Sequence, residues 1–404
     1  MKIALETLGC KLNQAETETL ARQFTQAGHE LVTRVENADI YVLNTCTVTH
    51  TADSKSRHLL RQARRRNPTV HIVVTGCYAD RAPLDMAKLE AVDLVTGNEG
   101  KITLLERLEE AGYLRNADSG ASTSTNPTLR TRAFIKIQDG CRNYCAYCIV
   151  PYVRRIEKSV PCDEVTKQVK QRVTDGYQEV VLTGTRIGAY DSNGLQLNDL
   201  IERILFQTEI RRLRLSSLQP QEISLELLKL WRDSRLCPHF HLSLQSGSDN
   251  VLKRMRRRYT TGEYEKTVAL IRAMVPKVAI TTDVIVGFPC ETDEEFRESL
   301  AFCRRLSFAR IHVFPFSPRS GTEAAQMPGQ ISDKTKKERT RLMLALAEES
   351  LQHFREQFAA DELDVLWEKQ TGQGVWSGVT SNYIRVYKKD SRDLSNKLSS
   401  VKLD

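Results

Sequence analysis

Three closely spaced cysteines in the middle of the chain constrain its fold more than any other feature. Cys141, Cys145 and Cys148 follow a strand-like run, Ala133–Ile137, and a turn at Asp139-Gly140. Their C-x3-C-x2-C spacing places three thiolates in one tight loop with no fourth cysteine beside them. A tetrahedral zinc site needs four ligands, usually offered as C-x2-C pairs. Three thiolates instead suit an iron–sulfur cube whose fourth iron stays open.

The spacing leaves a structural alternative open. A zinc knuckle would need a distant fourth ligand, such as Cys162 or a histidine. The loop follows the first strand of a predicted barrel-like region, and catalytic groups collect at that end of such strands. This position favours the iron–sulfur interpretation.

The length, apolar pattern, cysteine content and charge of the chain indicate which class of protein it belongs to. At 404 residues the chain is long enough for two or three domains. No apolar stretch approaches membrane-spanning length, and the N-terminus lacks a signal-peptide apolar region, so we expect a cytoplasmic protein with no membrane partner. Ten cysteines in such a protein indicate metal or redox chemistry rather than disulfides. The net charge of +8 permits a nucleic-acid partner without proving one.

Residues 1–115 alternate short apolar runs with amphipathic stretches. The runs are Ile3–Leu8, Ile40–Leu43, His71–Val74 and Leu94–Val95, and the helical patterns cover Asn13–Ala27, Ala52–Arg66, Pro83–Leu89 and Lys101–Ala111. This alternation predicts an α/β domain with a doubly wound parallel sheet. Residues 116–131 are rich in Ser and Thr, which is typical of a linker.

The alternation returns in residues 132–360. Six strands are predicted there, at Ala133–Ile137, Glu179–Thr183, Arg212–Ser216, His239–Leu244, Val278–Val286 and Arg310–Phe314. Helical patterns separate them, and a charged helix follows at Ser332–Phe358. Six such units favour a partial (βα)6 barrel over an open sheet, with the active face at the carboxyl ends of the strands in either case. Short strand-like runs in residues 361–404 predict a small β-barrel.

A second set of three cysteines is spread over the N-terminal domain. Cys10, Cys46 and Cys77 each follow the end of a different predicted strand. In a parallel sheet those ends share one edge, so the three thiols can converge although more than thirty residues separate them. Three unrelated buried cysteines are the alternative. If both sets bind metal, the chain holds two clusters with open irons.

At these two sets of cysteines the chain resembles the radical S-adenosylmethionine (SAM) methylthiotransferases. The resemblance covers essentially the whole length and includes the matching segments Cys141–Tyr152, Leu242–Ser248 and Asp283–Pro289. It implies that the C-terminal β-barrel is a TRAM-like domain, a module that binds RNA or substrate. The segment Leu8–Glu18 is similar to a subfamily that modifies N6-threonylcarbamoyladenosine beside the tRNA anticodon.

The resemblance implies two 4Fe–4S clusters and SAM as cofactors. Cys141, Cys145 and Cys148 would hold the cluster that binds SAM and splits it into methionine and a 5′-deoxyadenosyl radical. The second cluster, on Cys10, Cys46 and Cys77, would supply the sulfur that replaces hydrogen at C2 of the adenine. An electron donor such as flavodoxin or ferredoxin is implied as well.

Other contacts with SAM are predicted at three positions. Tyr147 is expected against the adenine of SAM, and Gly184 and Gly287 end strands where the backbone would approach the cofactor. A glycine at a strand end can equally be a simple turn.

Two departures from the family pattern affect active-face loops. Where the family usually shows Arg-Gly and later Arg-Ser, this chain has Arg154-Arg155 and Lys158-Ser159. Gln219 stands where an acidic residue is common. These changes are expected to affect how the substrate is recognised, and they leave the cysteine ligands unchanged.

A basic helix after Cys46 favours tRNA as the substrate. Arg57, Arg61 and Arg64 share one helical face with Arg65, and a second basic run covers Lys253–Arg258. A phosphate backbone near the active face would suit both runs, although a solvated charged surface is the ordinary explanation. We therefore expect contact with a tRNA anticodon stem-loop through Arg57, Arg61 and Arg64. Unpaired anticodon-loop bases can be splayed into a pocket.

Two other functions fit parts of the sequence. A methylthiotransferase for a ribosomal-protein aspartate would keep both clusters but need less phosphate-binding charge. A non-enzymatic, zinc-stabilised RNA-binding protein would use the cysteines for structure alone, and would contain zinc without sulfide.

Overall fold

The computed structural model describes residues 1–114 and 131–403. The expected linker, residues 116–131, lies outside the described residues except for Thr131, so it stays a prediction. In the described part of the chain, none of the helices combines the length and the apolar character needed to cross a membrane.

The N-terminal residues form one sheet of five parallel strands. They are β1 (Lys2–Thr7), β2 (Glu30–Val32), β3 (Ile40–Thr45), β4 (His71–Gly76) and β5 (Leu94–Val95), in the spatial order β2-β1-β3-β4-β5. Apolar runs predicted every strand except β2. That strand has only three residues, too few for a period to show.

Helices cover both faces of this sheet. They are α1 (Lys11–Gln26), α2 (His50–Arg66), α3 (Cys77–Arg81), α4 (Pro83–Ala87) and α5 (Leu104–Glu110). Alternate residues of β3 point to opposite sides, so that Leu43 packs with Leu60 of α2 whereas Val42 packs with Phe24 of α1. The central strand is therefore buried throughout.

Strands lie at each of the six predicted central positions. They are β6 (Arg132–Asp139), β8 (Glu179–Gly184), β11 (Arg212–Leu215), β13 (His239–Leu242), β14 (Ala279–Val286) and β15 (Arg310–Pro315). They belong to two sheets of order β11-β8-β6-β7 and β12-β13-β14-β15, with β7 at Lys158–Ser159 and β12 at Ser217–Leu218. A parallel bridge between Leu213 and Leu236 joins the neighbouring edges. A short hairpin, β9 (Asp191–Ser192) and β10 (Leu195–Gln196), stands apart.

Helices connect these strands. They are α6 (Val150–Val153), α7 (Cys162–Thr174), α8 (Leu197–Gln207), α9 (Leu225–Lys229), α10 (Asp249–Arg254), α11 (Thr261–Met274), α12 (Asp293–Leu306) and α13 (Asp333–Glu356). Capping boxes start α11 at Thr260 and α12 at Thr292, and the Ser332 side chain caps α13. Apolar faces of the helices and strands share one large core.

Four antiparallel strands end the chain. They are β16 (Glu362–Gly372), β17 (Val375–Thr380), β18 (Arg385–Lys389) and β19 (Leu398–Lys402), in the order β18-β17-β16-β19. Trp367 and Trp376 pack with Phe354 and Phe358 at the end of α13. The sequence predicted the first three strands but not β19, whose alternation is weak.

Buried arginines attach this C-terminal sheet to the central strands. Arg212 donates to the carbonyl oxygens of Val379 (3.1 Å) and Asp364 (2.5 Å). Arg214 donates to Glu179 (2.7 Å), which is fully buried at the start of β8. The Tyr383 ring stacks on His239 with centroids 4.5 Å apart. The strand ends opposite the cysteine loop are thus closed by protein.

A buried ion cluster joins the N-terminal sheet to the central strands. Arg154 donates to both carboxylate oxygens of Glu16 (2.8 and 2.9 Å), and Lys101 donates to the same carboxylate at 2.5 Å. Lys136 of β6 lies 3.2 Å from Glu16. Burial alone would raise the pKa of Glu16, but the Lys101 ammonium and the Arg154 guanidinium hold it well below its ordinary value.

A second buried contact crosses the same junction. Arg319, which follows β15 and is 1% exposed, pairs with Asp53 of α2. Arg319 also donates to the Thr47 hydroxyl (2.9 Å), and Arg81 donates to Asp53 at 2.8 Å. Two charged contacts from different central segments therefore fix the N-terminal sheet.

The junction generates a prediction about stability and pH. Glu16→Gln should destabilise the protein by about 3–5 kcal/mol at pH 7, because Lys101 and Arg154 would be buried without their counter-charge. The folded-state pKa of Glu16 is below its ordinary 4.5, so its contribution is present above that pH and lost as the pH falls below it. Urea unfolding at several pH values measures both effects.

The matched control is Glu110→Gln, because Glu110 is exposed at the end of α5. We expect the control to unfold like the wild type and Glu16→Gln to show a smaller loss of stability in acid. Equal unfolding of the two variants at pH 7 would contradict the importance of the junction.

Candidate active site

Cys10, Cys46 and Cys77 follow three adjacent strands of the N-terminal sheet. Cys10 precedes α1, Cys46 directly follows β3, and Cys77 begins α3 immediately after β4. A Cβ atom built on Gly9 would lie 2.7 Å from Cys46 Cβ and 2.9 Å from its Sγ, so the first loop passes directly over the second cysteine. Gly9 has φ +103°, which favours glycine there. The structure brings these three cysteines together, and we call them the N-terminal triad.

Burial and the closeness of the neighbouring thiols raise the pKa values of Cys46 and Cys10 in the N-terminal triad. Burial, together with the neighbouring Cys77 and Cys10 thiols, raises the pKa of the Cys46 thiol to about 12. Burial also raises the pKa of Cys10, against the effect of Asn13 and Arg154. Such thiols are costly to ionise in the protein alone, whereas a bound metal replaces their protons. The donor set fits an iron–sulfur cluster held by three thiolates.

Asparagine side chains hold the loops of the N-terminal triad. Asn13 Nδ2 donates to the carbonyl oxygens of Leu8 (2.9 Å) and Thr45 (3.0 Å), which connects the loop of Cys10 with that of Cys46. Asn98 Nδ2 donates to the Val153 carbonyl at 2.7 Å and lies 3.8 Å from Cys77 Sγ. Asn98 thus links Cys77 to the helix that follows the second set of cysteines.

Cys141, Cys145 and Cys148 lie in the loop between β6 and α6, and we call them the central triad. The Cys148 N–H donates to the Cys145 carbonyl at 2.9 Å, which closes the loop. Burial raises the pKa of Cys148 to about 12, with the Cys145 and Cys141 thiols adding to the effect. All the cysteines of both triads are free thiols in the structure. This set therefore fits a second iron–sulfur cluster by the same argument.

Arg257 is a neighbour of the central triad that the sequence did not single out. Its Nη1 lies 3.4 Å from Cys145 Sγ, and its Nε donates to the Tyr259 hydroxyl at 3.0 Å. Its Nη2 is buried without a partner among the described residues. The Arg257 charge partly opposes the rise in the pKa of Cys148 that burial causes.

The predicted SAM contacts differ in what surrounds them. Tyr147 is half-buried beside the central triad and packs against a small apolar cluster that includes Phe288. Gly184 lies against β6, since a Cβ there would be 2.7 Å from the Gln138 oxygen. Gly287 has φ +71°, and a Cβ there would be 2.5 Å from Lys336 Cγ. Packing within the chain accounts for both glycines, so their contact with SAM stays a prediction.

The basic helix α2 presents fewer free charges than its sequence suggests. Arg57 Nη1 donates to the Tyr78 hydroxyl at 2.6 Å. Arg64 donates to the Val70 carbonyl (2.7 Å) and to Asp93 (2.6 Å). Arg61 and Arg65 are exposed and have no hydrogen bond or ion pair with the described residues. Arg61 and Arg65 are therefore the freer candidates for a phosphate contact.

The second basic run is also engaged within the protein. Arg254 pairs with Glu295 at 2.6 Å, and Arg256 pairs with Glu323 at 2.6 Å. Together with the contact of Arg257 to Cys145, these pairs leave Lys253 and Arg258 as its unpaired cations among the described residues. Arg257 therefore supports the loop around the central triad, while Lys253, Arg256 and Arg258 stay exposed.

A polar group on the central strands was also missed by the sequence analysis. One nitrogen each of His241 and His312 and one oxygen of Asp283 lie within 4.8 Å of one another. His241 Nε2 is 3.1 Å from Asp283 Oδ2, and its Nδ1 is 3.0 Å from the Thr281 hydroxyl. The available signal was the period-2 placement of polar residues in otherwise apolar strands, which marks the inner face.

Two family models match the chain. Residues 2–97 match the uncharacterized protein family UPF0004, and residues 135–303 match the radical SAM superfamily. Together they contain both cysteine triads.

The chain also has similar relatives along its length. It is 38% identical to the threonylcarbamoyladenosine tRNA methylthiotransferase MtaB of Bacillus subtilis (strain 168), over 99% of this chain and 93% of that protein. It is 33% identical to the tRNA-2-methylthio-N(6)-dimethylallyladenosine synthase of Geobacillus thermodenitrificans (strain NG80-2), over 100% of this chain and 81% of that protein.

A solved structure shares the fold. The radical SAM methyltransferase TsrM from Kitasatospora setae, solved with cobalamin and a [4Fe-4S] cluster bound, superposes with a TM-score of 0.61 at 14% identity, covering 80% of this chain and 77% of that one. At that identity the likeness concerns the fold alone. From the sequence relatives and the two domain matches, the chain belongs to the radical SAM tRNA methylthiotransferase family.

Proposed function

We propose that this enzyme converts N6-threonylcarbamoyladenosine next to the tRNA anticodon to its 2-methylthio derivative. The observation that carries the proposal is the presence of two cysteine triads, one gathered at the ends of three parallel strands and the other in the single loop after β6, in sheets that buried contacts join. The name of the Bacillus subtilis relative supports the choice of nucleoside. The aspartate alternative has no comparable support, and the zinc-protein alternative does not agree with membership of an enzyme family.

The two triads would hold different clusters. Cys141, Cys145 and Cys148 would hold the 4Fe–4S cluster that binds SAM, and Cys10, Cys46 and Cys77 would hold the auxiliary one. Bound there, the clusters and SAM supply the electron, the radical and the sulfur needed to replace an aromatic C–H bond. Flavodoxin or ferredoxin would serve as the electron donor.

The chain's own residues would orient and shield this chemistry. The Glu16–Arg154 and Asp53–Arg319 pairs set the position of the N-terminal triad relative to the central strands. The Asn98 amide connects Cys77 to Val153, five residues beyond Cys148. Tyr147 would cover the adenine of SAM from the apolar cluster behind it, with Gly184 and Gly287 shaping the strand ends nearby.

The proposed domains follow from the same interpretation. Residues 1–115 would be the methylthiotransferase domain, and residues 132–360 the radical SAM domain, a partial (βα)6 barrel with a trailing helix. Residues 361–404 would be a TRAM-like domain. The six parallel strands in chain order and the four-stranded terminal sheet support this division.

Substitution of the N-terminal triad tests the roles of the clusters. Cys77→Ala should keep the cleavage of SAM to 5′-deoxyadenosine but abolish methylthio transfer, since only the sulfur-supplying cluster is removed. Iron and sulfide should fall from about eight to about four of each per chain. Chemical analysis and chromatography of the products measure these quantities after anaerobic reconstitution.

The matched control is Cys290→Ala, because Cys290 is exposed and belongs to neither triad. Full metal content and full product are expected for that variant. Normal methylthio product from Cys77→Ala would show that the assignment of roles is wrong.

The free cations of α2 generate a second prediction. Replacing Arg61 and Arg65 by Gln should weaken binding of the anticodon stem-loop and reduce the slope of log K against log salt by about one for each phosphate that is no longer bound. Lys167→Gln with Lys266→Gln removes the same charge from exposed sites on α7 and α11 and serves as control. Binding is measured by fluorescence anisotropy over a salt series. Equal slopes for both double variants would make α2 an ordinary solvated surface.

The product itself decides the proposed function. Mass spectrometry of tRNA nucleosides, from cells lacking this gene and from the same cells after it is restored, should show the 2-methylthio form of N6-threonylcarbamoyladenosine only when the gene is present. Restoration of a different 2-methylthio nucleoside would correct the substrate.

A further inference from the structure

The exposed side chains around the central triad are cationic, aromatic or apolar. In residues 141–160 the structure leaves six side chains exposed, and we call them the triad patch: Arg142, Tyr144, Tyr152, Arg155, Ile156 and Lys158. No acidic side chain is exposed in that segment, because its single carboxylate, Glu157, is half-buried and lies 4.0 Å from Arg186. Aromatic rings and arginines are the side chains enriched where one protein binds another.

Two tyrosine rings form the aromatic part of the triad patch. Tyr144 lies between Cys141 and Cys145 and is 51% exposed, and Tyr152 of α6 is 42% exposed. Their ring centroids are 6.2 Å apart in an edge-to-face arrangement, and neither hydroxyl has a hydrogen bond with the described residues. The Tyr144 backbone is in the left-handed region (φ +48°), which a bulky residue seldom adopts. Packing inside the protein therefore does not account for this pair of rings.

The cations of the triad patch are free to meet a partner. Arg142 and Lys158 are exposed, and their side chains have no hydrogen bond or ion pair with the described residues. Arg155 makes one local bond, from its Nε to the carbonyl three residues before it at 3.0 Å. Arg155 and Lys158 also line a cleft of about 360 Å³, together with the exposed Arg107 of α5. The positive surface thus extends to the N-terminal domain.

The loop of the central triad has an inner side and a solvent side. Ala146 and Tyr147 of this loop pack in an apolar cluster with Ile285 of β14. Ile285 lies on the inner face of its strand, since it follows Asp283 by two residues. The triad patch is the solvent-facing side of the same loop and of the segment that follows it. A partner on the triad patch therefore approaches the central triad from outside, whereas SAM and a nucleobase have to reach the inner side.

This position suits a partner that delivers an electron. An electron carrier has to come close to the cluster, but it does not need access to the open iron. Arg142 directly follows Cys141 and Tyr144 directly precedes Cys145, and both cysteines are half-buried. Electron-transfer partners form small, short-lived interfaces, for which a patch of this size is sufficient. A positive surface steers a negatively charged partner toward it.

We propose that the triad patch docks an acidic electron-carrier protein of the flavodoxin or ferredoxin kind, which reduces the cluster held by the central triad. This inference rests on the proposed function. The carrier is oxidised by one electron and the cluster is reduced by one, and no bond is formed or broken in that step. Carboxylates of the carrier pair with the three cations of the triad patch, while the rings of Tyr144 and Tyr152 fill the centre of the interface.

The ratio of two rates of SAM cleavage tests the proposal. 5′-Deoxyadenosine is measured anaerobically with reconstituted full-length protein, once with reduced flavodoxin below saturation and once with dithionite, a small reductant that needs no docking surface. A lost cluster lowers both rates alike, so their ratio does not depend on cluster content. Arg142→Gln with Lys158→Gln should lower the ratio by about tenfold at low salt, where steering by charge is strongest. Tyr152→Ala should lower it as well.

Binding provides a readout that does not depend on turnover. The dissociation constant of flavodoxin, measured by titration calorimetry, should rise by about tenfold in the double Gln variant and depend less on salt. Lys167→Gln with Lys266→Gln removes the same charge from exposed sites on α7 and α11, and Phe206→Ala removes an exposed ring at the end of α8. Both controls should match the wild type in the rate ratio and in flavodoxin binding.

RNA is the competing occupant of this surface. Binding of the anticodon stem-loop is therefore measured by anisotropy on the same variants, and Arg61→Gln with Arg65→Gln should weaken RNA binding while keeping the rate ratio. Weaker RNA binding with an unchanged rate ratio in the double Gln variant at 142 and 158 would assign the triad patch to RNA and overturn the proposal. An unchanged ratio and an unchanged dissociation constant of flavodoxin in all the patch variants would overturn it too.

The outcomes keep this inference apart from the proposed function. If the wild type forms the 2-methylthio product with dithionite but the patch variants keep a normal rate ratio, the proposed function stands and the inference fails. If the wild type cleaves SAM with neither reductant, both are wrong. If the double Gln variant does not fold, Tyr152→Ala tests the same surface without changing its charge.

Discussion

The ion pair between Glu16 and Arg154 is the contact on which the rest of the arrangement depends. Glu16 is on the helix that begins after Cys10, and Arg154 follows the loop that contains Cys148, so one pair connects the surroundings of both triads. The two residues are 138 positions apart in sequence. A buried carboxylate is tolerated there because three cations surround it, and those cations are tolerated because the carboxylate is ionised. The main effect of the pair is therefore to fix the position of the N-terminal sheet relative to the central strands, rather than to add net stability.

Helix α1 shows how packing supports this pair. One of its faces covers the N-terminal sheet through Phe24, while Ala15 packs against Phe134 and Val181 on the central strands. A helix that serves two sheets cannot have a single apolar stripe, and its buried residues include Asn13, Glu16, Thr17 and Glu18. Asn13, Glu16 and Glu18 find partners across the junction, whereas Thr17 is held within the N-terminal domain by Asn44. The helix thus begins, with Cys10 and Lys11, where the two sheets meet. Buried polar side chains would destabilise α1 as an isolated helix, but in the protein they let α1 join the N-terminal sheet to the central strands.

The sequence predicted what depends on period and spacing. Strand positions, the main helices and the convergence of Cys10, Cys46 and Cys77 follow from apolar runs and from the shared edge of parallel strands. It failed where elements are short, as in β2, and where charge is used internally. The helical pattern placed Arg57 and Arg64 on a face expected to contact tRNA, and that contact stays a prediction. The pattern did not reveal their partners inside the protein, Tyr78 and Asp93, which lie 21 and 29 residues away. No pattern along a helix reveals a partner that only folding brings near.

The structure shows what the two departures from the family pattern, at Arg155 and Gln219, change and what they leave intact. Arginine at 155 replaces a turn glycine, but the backbone there is not in the left-handed region, so the position does not require glycine. Its Nε donates to the Tyr152 carbonyl at 3.0 Å, and the side chain stays exposed. Gln219 accepts from Asn143 (3.4 Å), which lies between Cys141 and Cys145, and from Gln221 at 2.8 Å. A carboxylate could accept the same bonds but would add negative charge beside a loop of thiolates. The substitution thus keeps the hydrogen bonds that hold the cysteine loop and changes only the charge around it.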